Sequence, residues 1–184
     1  MIGAFVYGGQ ALYTWNRNKE ITSMTFDEYV KKKPEAEWVE LKGVILDIPS
    51  CAAVKKGEKV KSLYIPVVAS REEKGAAQIV LDTDDAKYIS LVAEMNAVAD
   101  AKALEFITKN TDRIWPKVDV RGLVEFGVEG NSSHREQLTK MNMKLAPNFV
   151  IIGDGKQPNL WVGVGCMVGG LILAGTFVMG RRKA

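Results

Sequence analysis

From Leu160 to Gly180 the chain runs for 21 residues without a charged side chain, LWVGVGCMVGGLILAGTFVMG, and Arg181, Arg182 and Lys183 follow at once. As an α-helix rising 1.5 Å per residue, this stretch is about 32 Å long, against a bilayer hydrocarbon core of about 30 Å. Trp161 stands at one end, where an aromatic ring suits the membrane–water interface. The basic residues stand at the other, where their stems can reach headgroups. The sequence therefore predicts a transmembrane helix over 159–180 and a basic cytoplasmic tail over 181–184. The competing reading, a buried helix of a globular core, is disfavoured by the length and by the lack of charge on every face.

The glycines of this stretch would weaken a helix in water. In lipid they allow a close approach of backbones. Gly165 and Gly169 form a GxxxG, and Gly170 and Ala174 repeat the small-xxx-small spacing. The expectation is a span packed on another protein helix. The N-terminus offers one candidate. MIGAFVYGGQALYTW carries no charged side chain before Arg17, and Met1–Trp15 as a helix reaches about 22 Å. A short membrane helix over 1–16 is expected, with Ala4 and Gly8 as its small face and Trp15 at the same interface as Trp161. A basic n-region and a small-residue cleavage site are both lacking, so it does not read as a signal peptide.

Charge in the short C-terminal tail predicts orientation. Arg181, Arg182 and Lys183 favour a cytoplasmic C-terminus, which puts the intervening domain outside the cytoplasm. Arg17 and Lys19 argue the other way, but they begin a loop too long for the rule to hold. The expected location is an integral one, in a bacterial inner membrane or its organelle equivalent.

Between the two hydrophobic segments, 20–157 reads as a soluble α+β domain. Thr25 and Glu28 have capping-box spacing ahead of a short helix that Pro34 stops. Strands are predicted in EWVELKGVILDIP, VKSLYIPVVAS, AAQIVLDT, KVDVRGLVEFGVEG and NFVIIGDG. A long helical pattern breaks near Asp100, and HREQLTKMNMKL reads as a short helix. Val39–Ile45, VELKGVI, and Val118–Val124, VDVRGLV, look alike, each with a glycine at its fifth position. A glycine inside a strand marks a bulge or bend, and a bent first strand suits small barrels, including OB-like ones. Two readings stay open: chance similarity, or a tandem of β-rich units over 25–82 and 101–154.

Little chemistry is visible. The single histidine, His134, lies in Asn-Ser-Ser-His-Arg-Glu and has neither ligand spacing nor a nucleophile-elbow partner. Asp82, Asp84 and Asp85 lie in LDTDDAK, where an EF-hand would need glycine at the position of Lys87; a helix cap is the better reading. Gly155-Lys156 suggests a phosphate loop only until its earlier glycine is sought, at Val150. Asn131-Ser-Ser is a formal glycosylation sequon. Cys51 and Cys166 fall in different parts of the chain, so no disulfide is expected. A net charge of +3 without a basic stripe interleaved with aromatics argues against a nucleic-acid partner. No catalytic residue, cofactor or metal is expected.

The function that follows is a non-catalytic accessory subunit. It would pack glycine-faced helices and an extracytoplasmic domain against the subunits of a larger membrane complex, such as an energy-transducing one, with the lipid bilayer as its surroundings. The alternatives are a membrane-anchored ligand-binding or sensing module, and a membrane-anchored enzyme.

Overall fold

The computed structural model describes residues 2–32, 37–73, 75–125, 136, 138–141, 143–161, 164–166 and 168–172. They belong to two units, one of Thr22–Lys156 and one of Met1–Ile21 with Gln157–Ala184.

In the larger unit, apolar residues at every second position turn strand into barrel. β1 (Thr22–Thr25) and α2 (Phe26–Lys32) follow the N-terminal helix α1 (Ile2–Arg17). β2 (Trp38–Leu46), β3 (Ala52–Lys56), β4 (Lys59–Val68) and β5 (Ala77–Thr83) come next. Helices α3 (Ala86–Ala97), α4 (Asp100–Lys109) and α5 (Thr111–Ile114) lead to β6 (Lys117–Glu125) and β7 (Leu145–Asp154). Strands β2, β6, β7, β5 and β4 are hydrogen-bonded in that order, and β4 returns to β2 through Ile45↔Val68 and Leu46↔Val67. The result is a closed five-stranded barrel, antiparallel except for β5 beside β7. Its strand order, with helices between the third and fourth barrel strands, is that of the oligonucleotide/oligosaccharide-binding type of Greek-key barrel.

Val39, Leu41, Val44 and Leu46 of β2 all point into the core with Leu63 and Ile65 of β4, Leu81 of β5 and Ile152 of β7. Leu41 to Val44 is three positions, which strict alternation would put on opposite faces. A β-bulge resolves this: Leu41 pairs with Val120 and Val44 with Val118, so β2 carries one extra residue there. Gly43 takes φ +62° in the bulge, a conformation costly for a residue with a Cβ. The bend lets β2 pair with β1 over Val39–Lys42 and then with β4 at Ile45–Leu46.

Gly122 of β6 answers a different need. A Cβ there would overlap the Gly153 carbonyl oxygen of β7. The look-alike strands are thus antiparallel neighbours in one barrel, with Val39 opposite Gly122. The tandem of units over 25–82 and 101–154 is overturned, because β2 and β6 close the same sheet.

α3 packs on β4 and adds Tyr88 and Leu91 to the core. Asp85 caps it, its Oδ1 accepting from the Lys87 amide at 2.8 Å. Thr25 and Glu28 form the capping box of α2, with the Thr25 amide 2.9 Å from Glu28 Oε2. On the outer face of the barrel, Tyr64, Val80, Phe149 and Ile151 make a second cluster, covered by Leu138 and Met143. The parallel pair β5–β7 is therefore buried on both sides, which is why both strands read as near-continuous apolar runs.

The membrane expectations are corrected by the smaller unit. Among the described residues, no helix is long and apolar enough to cross a membrane. α1 has 16 residues and ends on Arg17, so it reaches about 24 Å, short of the hydrocarbon core. The helical residues described near the C-terminus are 160, 161, 164–166 and 168–172. Residues 173–184, which carry the rest of the expected 159–180 span and its basic tail, lie outside the described residues. Among the described residues, neither of the two expected transmembrane elements reaches spanning length, which overturns the integral-membrane location, the extracytoplasmic placement of the domain and the membrane-subunit function built on those spans.

Candidate functional site

β2 ends at Leu46, and the chain turns at once. Ile48, buried at 1 % exposure, pins a 3-10 turn over Ile48–Ser50 to the core. The Ser50 amide donates to the Asp47 carbonyl and the Cys51 amide to the Ile48 carbonyl. Pro49 suits this tight start because it has no N–H to lose. The turn forms one wall of a cavity of about 450 Å³, to which it contributes Asp47, Ser50 and Cys51. The end of β4 supplies Pro66 and Val67, the β4–β5 loop supplies Glu73 and Ala76, and Met143 and Lys144 complete the lining before β7. The Ala77 amide donates to the Lys144 carbonyl at 2.7 Å, which ties the last two walls together.

Pro66 is allowed inside β4 by its place in the sheet. β3 pairs with β4 only as far as Tyr64 and β2 begins at Val67, so no partner on that edge needs the missing N–H.

The cavity carries two carboxylates, each held by one oxygen. Asp47 Oδ1 accepts from the Trp115 indole at 2.8 Å, and Glu73 Oε2 accepts from the Ala69 amide at 2.9 Å. Lys144 supplies a cation, and Ser50 and Gln78 supply a hydroxyl and an amide. Burial, with a smaller push from the Asp47 carboxylate, raises the Cys51 thiol from its ordinary 9.0 to about 11. Near neutral pH it is a protonated thiol, a poor nucleophile and a poor metal ligand. The arrangement suits a small molecule with N–H or O–H donors on one side and an apolar edge on the other. Its volume lies in the range of about 300–1,000 Å³ common for such sites.

From Cys51 the chain continues into an arm, the β3–β4 hairpin, which turns at Gly57 with φ +65°. Lys55, Lys56, Lys59 and Lys61 on this arm are all exposed. Sequence reasoning searched for lysines interleaved with aromatics and so passed over KKGEKVK, in which four of seven residues are lysine.

The aspartates of LDTDDAK do structural work. Asp82 Oδ2 lies 3.6 Å from Lys156 Nζ, and the lysine stem crosses Gly153, where a Cβ would collide with it. Thr83 donates to Asp154 Oδ2 at 2.7 Å and accepts from the Asp85 amide. Among the described residues, no group of three or more His, Cys, Asp or Glu side chains is placed to hold a metal ion. His134 and Asn131 lie outside the described residues.

The residues singled out for helix packing differ in exposure. Gly8 and Gly170 are buried, Gly169 is half-buried and Gly165 is exposed. A Cβ at Gly165 or Gly169 would meet nothing within 4 Å. Ala4 lies within α1, and Ala174, Arg181, Arg182 and Lys183 lie outside the described residues. Of the two interface tryptophans, Trp15 is half-buried beneath Lys19, whose Nζ sits 5.6 Å from the ring centre, and Trp161 is 77 % exposed. No protein-family model matches this chain, and neither does any curated protein or solved structure, so the functional reading rests on the geometry of the site.

Proposed function

We propose that this protein is a non-catalytic ligand-binding module whose barrel receives a small polar molecule in the cavity at the foot of the β3–β4 arm. The observation that carries this reading is the cavity itself, about 450 Å³ between the Ile48–Ser50 turn, the end of β4 and the approach to β7. Barrels with this strand order bind ligands on the face of their second and third strands, flanked by the loops after the first and fourth. Those strands here are β4 and β5, and the flanking loops hold Asp47–Cys51 and Met143–Lys144. This is an analogy of fold, and the lining chemistry is the independent support. The functional groups are occupied as binding groups are: the carboxylates are steadied by Trp115 and Ala69, and the thiol is held protonated.

The test is amide-resolved NMR with a library of small polar compounds. At least one compound should shift Ser50, Cys51, Val68 and Lys144 together, and Ala76→Trp, which places an indole in the opening, should remove those shifts. A library that moves none of these amides, or shifts that persist in the variant, would overturn the reading.

A further inference from the structure

The cavity holds unlike charges that do not meet. Asp47 stands at the head of the Ile48–Ser50 turn, Glu73 in the β4–β5 loop and Lys144 at the approach to β7. Asp47 is half-buried, and Glu73 and Lys144 are exposed. One oxygen of each carboxylate is taken, Asp47 Oδ1 by the Trp115 indole and Glu73 Oε2 by the Ala69 amide. Among the described residues, no protein donor meets Asp47 Oδ2 or Glu73 Oε1, and neither carboxylate forms an ion pair with Lys144. Two anionic groups and one cation are thus kept apart on different walls of one cavity. Pro66, Val67 and Met143, all buried, give the same cavity an apolar lining.

We infer that the cavity takes a small zwitterion, a free amino acid with an apolar side chain, its ammonium group toward Asp47 and Glu73 and its carboxylate toward Lys144. The inference rests on the cavity being the binding site proposed above. An ammonium group has three N–H donors and no acceptor, which matches carboxylate oxygens that have no donor of their own. A ligand carboxylate finds its charge-assisted partner in the Lys144 ammonium, a compact point charge that sets no bidentate geometry. The side chain then lies against Pro66, Val67 and Met143. Charge balance argues against the ligands usual for this barrel type, oligonucleotides and oligosaccharides. A phosphate would face two carboxylates with a single ammonium to offset them, and like charges brought together across an interface oppose binding. A neutral sugar would desolvate all three charged groups without supplying a counter-charge to any of them. A zwitterion answers both signs at once.

The experiment titrates the full chain with free leucine, isoleucine, valine, methionine and phenylalanine, read at the amides of Ser50, Cys51, Val68 and Lys144. The tightest of them is then compared with its methyl ester, which keeps only the ammonium, and its N-acetyl derivative, which keeps only the carboxylate. Each derivative should bind about 10-fold more weakly than the free amino acid, since each loses one charged hydrogen-bonding group. Glu73→Gln should weaken the free amino acid and the ester by about 10-fold and leave the N-acetyl derivative unchanged. Lys144→Gln should do the reverse, weakening the free amino acid and the N-acetyl derivative by about 10-fold and sparing the ester. The spared derivative in each variant reports that the cavity is still formed. A derivative that binds as tightly as the free amino acid, or a variant that affects both derivatives alike, overturns the inference and leaves the cavity as a binding site. So does a set of amino acids that moves none of these amides while another polar compound does. If no compound of any kind moves them, the binding site and the inference fall together.

Discussion

The backbone amide of Gly43 donates to the Asp119 carboxylate 2.8 Å away, 76 residues on in sequence, and this bond holds the bulge at which the barrel closes. The extra residue in β2 removes the Gly43 amide from the regular ladder, and Asp119 on β6 takes it up. Two changes separate the contributions. Asp119→Ala should cost about 1–2 kcal/mol by leaving that amide without its charged acceptor. Gly43→Ala should cost about 1–2 kcal/mol by forcing a Cβ into φ +62°. Urea unfolding measures both, and a combined loss smaller than the sum would show that the two act on one element.

Gly122 should be far less tolerant. Gly122→Ala drives a Cβ into the Gly153 carbonyl, which is backbone and has nowhere to go, so the loss should reach about 3 kcal/mol or more. Gly75→Ala, where a Cβ meets nothing within 4 Å, should stay within about 0.5 kcal/mol of the parent. Equal losses at the two glycines, read by urea midpoint, would sink the close-approach argument.

Trp115→Phe should cost about 1–2 kcal/mol by removing the indole donor from Asp47. Because Asp47 lines the cavity, the variant should also weaken any ligand that shifts the Ser50 and Cys51 amides. Unchanged affinity would detach Asp47 from binding.

Alkaline pH should destabilise the protein in a defined window. Burial raises Cys51 to about 11 and Tyr29 from 10.0 to about 12 in the folded chain. The unfolded chain sheds these protons near 9.0 and 10.0, while the folded chain still holds them, so the folded state binds more protons in between. Stability from both groups is full below pH 9 and is lost as pH rises toward 12. Urea midpoints between pH 8 and 11 should fall, and Cys51→Ala should flatten the first part of the decline. Alkylation of Cys51 should be slow at pH 8 and should quicken only as pH approaches 11.

Much of the local structure could be read from residues near one another. The Thr25–Glu28 capping box, the cap at Asp85, the break before Asp100 and the strands over Val39–Ile45 and Val118–Val124 depend on spacing and propensity over a few positions. The arm lysines were equally plain in KKGEKVK, but that Lys56 stands opposite Lys59 is a matter of register. The cavity was not legible, because its walls come from residues as far apart as Asp47 and Lys144.

The sequence by itself determined the five barrel strands and the helices around Tyr29, Tyr88 and Phe106, because hydrogen-bonding caps, side-chain alternation and backbone propensity act locally, but it did not mark β1 or β3, which are short and take their form from pairing with β2 and β4. Tertiary structure decided what those segments mean. The glycines of VELKGVI and VDVRGLV stand at matching positions, yet one allows a left-handed bulge and the other lets two backbones meet. Pairing between β2 and β6 made neighbours of strands that resembled a repeat. The same holds for the terminal hydrophobic segments. Their lack of charge was visible in the letters, but the extent of continuous helix was not, and α1 stops at about 24 Å. Closure, register and helix length depend on contacts between residues far apart in the chain, and only the folded chain brings those residues together.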